Sequence, residues 1–94
     1  MNWLEIIELR TVNGTHKKME SKIRSIIEDF RDSAKDHIIR VYNRFGLESD
    51  ITIHIKHQSE KPDINGSLAG MQLVETLKKF GLINYSTWIE RSSK

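Results

Sequence analysis

Asp50 to His57 reads DITIHIKH, and within it Ile51, Ile53 and Ile55 alternate with Thr52, His54 and Lys56. Successive side chains of a strand point to opposite faces, so this segment has one wholly apolar face and one polar face. It reads as a strand of a sheet covered on one side. The stretch before it, HIIRVYNRF from His37 to Phe45, alternates in the same way, with Ile39 and Val41 opposing Arg40, Tyr42 and Arg44. Gly46-Leu47-Glu48-Ser49 has the length and chemistry of a hairpin connection between the two.

Working outward, Trp3 to Val12 reads WLEIIELRTV, with Ile7 and Leu9 on one side and Leu4, Ile6, Glu8 and Arg10 on the other. Asn13-Gly14 ends this strand. Thr15 can cap a helix from about residue 16 to 35, whose apolar residues Met19, Ile23, Ile26, Ile27, Phe30 and Ala34 recur at threes and fours. On the other side of DITIHIKH, residues 58 to 66 (QSEKPDING) hold the only proline and read as an exposed loop. Ser67 then caps a helix with Leu68, Met71, Val74, Leu77 and Phe80 on one stripe, and Gly81 is expected as its left-handed stop. Ile83 to Glu90 is the last strand.

The order is therefore βαββαβ. Right-handed crossovers place both helices on one face of a four-stranded antiparallel sheet with strand order 4-1-3-2, a ferredoxin-like α+β plait. Ninety-four residues hold one core, so residues 1–94 are expected to form a single domain. The chain has no cysteine, which excludes disulfides, a thiol nucleophile and Cys-based metal sites. No apolar run approaches the roughly 18 residues of a membrane span, and Met1 to Glu5 lacks a basic signal-type start, so a cytoplasmic location without membrane attachment is expected. Fifteen basic against thirteen acidic residues give a net charge of +2, a weak global field that leans towards anionic partners without identifying one.

Ile7, Leu9, Ile39, Val41, Ile51, Ile53 and Ile55 are expected to face the helices. The opposite face then carries Leu4, Ile6, Glu8, Arg10, Ile38, Arg40, Tyr42, Arg44, Thr52, His54 and Lys56, with Trp88. That set is too apolar and aromatic for bare solvent, and an exposed patch of several hundred Å² normally marks an interaction surface. A second copy of the sheet is the economical cover, which makes Leu4, Ile6, Tyr42 and Trp88 the expected homodimer interface.

The βαββαβ order, the IELRT stretch from Ile7 to Thr11 before a turn and long helix, and the terminal NYSTWIE strand together resemble the dimeric α+β barrel superfamily, especially its small antibiotic-biosynthesis-monooxygenase-like proteins. The resemblance covers nearly the whole chain and implies a homodimer with facing sheets. It also implies a monooxygenase-like enzyme, or a binder, acting on a flat aromatic or quinol-type molecule, in some members without metal or flavin. No cofactor is expected on that basis.

Among individual residues, His54 is the candidate acid or base, placed on the open face near Arg40, Tyr42 or Arg44. Arg40 and Arg44 are the candidate anion holders, Tyr42 and Trp88 the ring platforms, and loop 58 to 66 a possible lid. His54 and His57 are three apart on a strand, point to opposite faces and cannot share a metal ion. His16 and His37 are expected to play surface roles. Trp3, Tyr42, Tyr85 and Trp88 could line one aromatic pocket, against the plainer reading of core and interface packing. Glu5 shares parity with Ile7 and Leu9, and a fraying strand end is its expected explanation, the alternative being that it protrudes into a cavity. A non-catalytic interaction or regulatory domain on the same dimer competes with the enzyme. RNA binding would place stacking aromatics on the open face of the two central strands, where none occurs, so a nucleic acid is not the expected partner.

Overall fold

In the first strand every odd residue turns inward. β1 spans Trp3–Thr11, and Trp3, Glu5, Ile7, Leu9 and Thr11 are buried while the even positions are half-buried or exposed. The structure, a computed structural model, describes residues 2–11, 16–33, 37–58, 61 and 64–91, without the side chains of 16–19, 33, 47 and 48. Helix α1 spans His16–Ser33, β2 Ile38–Arg44, β3 Leu47–His57, α2 Leu68–Leu77 and β4 Gly81–Ile89. The sheet order is β2-β3-β1-β4 with every neighbouring pair antiparallel, so the ferredoxin-like α+β arrangement read from the alternation is the observed one.

The register pairs Ile7 with Ile53 and Leu9 with Ile51 across the two central strands, and Ile39 with Ile55 at the β2 side. Residues directly opposite in an antiparallel pair share a face. These isoleucines therefore form one apolar layer, onto which Ile23 and Ile27 of α1 and Leu73 and Leu77 of α2 pack, with Phe80 closing the end. Both helices lie on that side. Among the described residues, no helix is long and apolar enough to cross a membrane.

Five local expectations are corrected. The hairpin turns on Phe45-Gly46 rather than on residues 46 to 49, because Gly46 adopts φ 80 and lets β3 begin at Leu47. In α2 the buried stripe is Gly70, Leu73 and Leu77, continuing to Phe80, while Leu68 and Met71 are exposed. The side-chain-free Gly70 sits where α2 presses closest to the sheet, which turns Leu68 and Met71 outward. Gly81 is no left-handed stop: its φ of 164 and ψ of −161 are extended, and a Cβ there would overlap Arg10 O of the adjoining strand. The helix ends instead through a single 3₁₀ turn, Lys78–Phe80, and β4 starts two residues earlier than its alternation suggested. Glu5 is not part of a frayed end; it is completely buried in a regular strand. Val12, the Asn13-Gly14 turn, the Thr15 cap, Ala34, Lys35, and residues 59, 60, 62 and 63 of the expected lid lie outside the described residues.

Candidate functional site

The open face is built in cross-strand rows. One row runs Ile38, Lys56, Leu4, Trp88; the next Arg40, His54, Ile6, Ser86; the next Tyr42, Thr52, Glu8, Asn84; and the last of the paired rows Asp50, Arg10, Leu82. His54 lies beside Arg40 in register, and its ring meets that of Tyr42 at a centroid distance of 5.0 Å. Arg44 is drawn to the same end, where the β2–β3 ladder shifts between Asn43 and Arg44. The sheet thus gathers Arg40, Tyr42, Arg44 and His54 on its β2–β3 side. Trp88 stands apart on the far edge strand, three strand spacings or about 14 Å away, with its Nε1 donating to Ser86 Oγ at 2.8 Å.

A groove of about 670 Å³ runs over this face, and its walls include Arg10, Arg44, Asp50, Thr52, His54 and Asn84. Arg40, Tyr42 and Trp88 do not line it. The sequence reading did not single out Arg10, Asp50 or Asn84. Asp50 sits between two guanidinium groups, with Arg10 Nε 3.5 Å from Oδ1 and Arg44 Nη1 3.3 Å from Oδ2, and the aspartate side chain is mostly buried. Asn84 Nδ2 donates to Glu8 Oε1 at 3.2 Å. The charged residues on the groove wall are Arg10 and Arg44 against Glu8 and Asp50, which balance. Arg44 is therefore not an uncommitted anion holder, since a ligand carboxylate must compete with the one Asp50 already supplies.

The helix side of the sheet holds a second constellation. Glu5 is fully buried, and its carboxylate takes four hydrogen bonds: His57 Nε2 lies 2.5 Å from Oε1, Ser67 Oγ donates to Oε1 at 2.5 Å, Ser67 N donates to Oε2 at 3.2 Å and Tyr85 Oη donates to Oε2 at 2.5 Å. A carboxylate has about four lone-pair sites, so this one is saturated. Ser67 is also the helix cap expected from the sequence, its Oγ accepting from Gly70 N at 2.9 Å. The carboxylate thus sits at the N-terminus of α2, where the helix dipole favours negative charge. Trp3 stacks on His57 with ring centroids 4.0 Å apart, and His37 meets the same ring edge-on at 4.5 Å. Trp3 Nε1 is buried without a hydrogen-bond partner among the described residues, a cost that this stacking carries.

These placements divide the four aromatic residues between two faces. Trp3 and Tyr85 belong to the Glu5 cluster and Tyr42 and Trp88 to the open face, so they do not line one pocket. His37 is half-buried against His57 rather than on the surface, and the side chain of His16 lies outside the described residues. Among the described residues, no group of three or more His, Asp or Glu side chains is placed to hold a metal ion. The sequence signal for the cluster was Glu5 itself: an acid in phase with Ile7 and Leu9, with His57 in phase with Ile51, Ile53 and Ile55.

No protein-family model and no curated protein matches the sequence. Solved structures do match. Rv0793 from Mycobacterium tuberculosis superposes with a TM-score of 0.66 at 8% identity, over 99% of this chain and 98% of that one. SnoaB from Streptomyces nogalater, a cofactor-independent oxygenase solved as a variant, gives 0.64 at 9% identity over 98% and 95%. A Deinococcus radiodurans protein, provisionally named an antibiotic biosynthesis monooxygenase, gives 0.65 at 8% identity over 98% and 95%. The likeness is one of fold. It spans both chains almost end to end, so the ferredoxin-like plait expected from the alternation is the fold that these three solved proteins share. At such identities it assigns no residue a role.

Proposed function

We propose that the chain is a small-molecule protein of the monooxygenase-like kind, binding a flat aromatic or quinol-type compound in the open-face groove, with a second copy of the chain laid over the sheet as its cover. The groove carries this reading: about 670 Å³ of concave surface with His54, Thr52 and Asn84 on its wall is ample for a two- or three-ring ligand. His54 would take the substrate proton. Arg44 would turn from Asp50 to hold the resulting anion, Tyr42 would position His54 through its ring contact, and no protein-bound cofactor enters this proposal; Arg40 and Trp88, which do not line the groove, take no part in it. SnoaB, which shares the fold, is a cofactor-independent oxygenase, and this supports the same chemical class here. Because Asp50 neutralises the arginine end, the groove suits a neutral ligand that becomes anionic on deprotonation better than one already charged.

Oxygen uptake with a naphthohydroquinone probe tests the enzyme reading. His54→Ala should lower turnover by about 100-fold or more, the usual worth of a positioned general base, and Tyr42→Phe by less. If both variants turn over as the parent does, His54 is not the base. An interaction or regulatory domain is the second reading, favoured by the exposed Ile38, Tyr42, Leu82 and Trp88 on the same face. It becomes the better account if no aromatic probe binds.

The homodimer is tested separately. Placing a carboxylate at Ile6 or Trp88 buries an unpaired charge in the expected interface, a cost of several kcal/mol. Ile6→Glu and Trp88→Glu should therefore sediment as monomers at concentrations where the parent chain is dimeric. Unchanged dimers in both variants would move the interface off this face.

A further inference from the structure

The sheet has two edges, and they are not alike. β2 is guarded as edge strands usually are: it carries Arg40 and Arg44, and Arg31 of α1 reaches over it to donate from Nη2 to Ile39 O at 3.3 Å. β4 is the other edge, and its nine residues, GLINYSTWI, hold no charge and no proline. Among the described residues, β1 is its only main-chain partner strand. An uncharged, unbroken edge of this length is a template for another strand.

Glu90 N donates to Asn2 O at 2.9 Å just past the end of β4, so the main-chain groups of Glu90 turn towards β1. Those groups alternate in direction along an antiparallel strand. Leu82, Asn84, Ser86 and Trp88 therefore direct theirs to β1, while Ile83, Thr87 and Ile89 present N–H and C=O outward. The side chains along this edge are poorly covered as well. Leu82 and Trp88 on the open face, and Ile89 on the helix side, are each more than half exposed.

The strand is also complementary to itself. A two-fold axis at position 85, the middle of β4, uses its whole length. Ile83 then meets Thr87 of the second copy in a hydrogen-bonded pair, and Leu82 meets Trp88 of the second copy at the closer spacing of a non-hydrogen-bonded pair, each twice by symmetry. Asn84 meets Ser86 of the second copy. Ile89 lies over the extended Gly81 of the second copy, whose missing side chain leaves it room. Just outside the paired segment, Glu90 comes beside Lys79 of the second copy.

We propose that the β4 edge is a self-association surface, on which a second copy of the chain lays its own β4 antiparallel to form one continuous sheet. A second copy fits better than a foreign peptide because this register sets apolar against apolar and polar against polar on the open face, places no charge inside the ladder and brings Glu90 to a lysine. One strand pair is a small contact, so its dissociation constant should be on the order of 100 μM. It forms at higher concentration than the open-face pairing, with which it shares only Trp88.

Amide exchange, compared at about 20 μM and about 1 mM protein, tests it; mass action should slow exchange at Ile83, Thr87 and Ile89 about fourfold across that range. Leu82 and Trp88, already bonded to β1, should not change. Ile6→Glu, aimed at the open face, should keep the effect, which separates this contact from the other pairing. Thr87→Pro removes only an outward N–H, so it leaves the β1 ladder whole and should abolish the concentration dependence. Thr87→Lys, which sets a charge in the ladder, should do the same if the proline variant folds poorly. The assignment is overturned if the three amides exchange fast at every concentration, if they are equally slow at every concentration, or if both Thr87 variants behave as the parent does. Protection conferred by a cell extract but not by added unlabelled chain would give the edge to a different partner and overturn it too.

Discussion

Glu5→Ala is expected to cost about 3 to 5 kcal/mol of folding stability, since buried polar groups left without a partner cost about 1 to 3 kcal/mol each before relaxation. The expectation follows from what the carboxylate satisfies. His57, Ser67 and Tyr85 all direct polar atoms at it from positions far apart in the chain. With alanine at position 5 these groups lose their common partner, His57 fully out of water and Ser67 and Tyr85 partly so. For a domain of this size the loss corresponds to a fall of tens of degrees in melting temperature. Glu5→Gln distinguishes charge from shape: the amide keeps one acceptor but turns a donor towards groups that themselves donate, so its melting point should lie between parent and alanine. Calorimetry on the three proteins checks the order. An alanine variant that melts within a few degrees of the parent would show that water enters the cluster and replaces the carboxylate cheaply.

Why this cluster was hard to read and the sheet was easy is a matter of where the information lies. A two-residue alternation is local, and the purity of Ile51, Ile53 and Ile55 was enough to orient β3, then its neighbours, then the whole open face. The placement of Arg40, Tyr42, His54 and Arg44 on one side of that face followed from the same alternation. Glu5 broke the pattern at an apolar position, and an isolated acid near a chain end carries no local sign of its partners. Its hydrogen bonds reach residues 52, 62 and 80 positions away, separations that only the closed sheet and the docked helix bring together. The rotation of α2 was hidden for the same reason: Leu68, Met71 and Val74 make a plausible stripe until a glycine is required to pass the carboxylate. Asp50 between Arg10 and Arg44 depended on the ladder shift after Asn43, which no periodicity announces.

The same geometry reverses the usual sign of a familiar substitution. Gly→Ala within a helix normally stabilises by roughly 0.5 to 1 kcal/mol, because glycine gives up more backbone freedom on folding. Gly70 lies inside α2 without a positive φ, so backbone preference alone favours alanine there. A Cβ at Gly70, however, would overlap Glu5 Oε2 and come within 2.8 Å of its Cδ. The carboxylate cannot swing aside cheaply, since four hydrogen bonds fix both of its oxygens. Either those bonds break or α2 lifts from Leu73 and Leu77, and Gly70→Ala is therefore expected to destabilise by about 2 to 4 kcal/mol, at or above the usual cost of overpacking. A double-mutant cycle isolates the cause. In a Glu5→Ala background the obstructing carboxylate is gone, the new methyl fills part of the space it leaves, and Gly70→Ala should become neutral or stabilising. The coupling between the two positions should then be about 2 kcal/mol or more, well beyond the few tenths seen for independent sites. Additive effects would mean that the helix, not the carboxylate, sets the intolerance, and the close approach of α2 to Glu5 would no longer explain why a glycine stands at position 70.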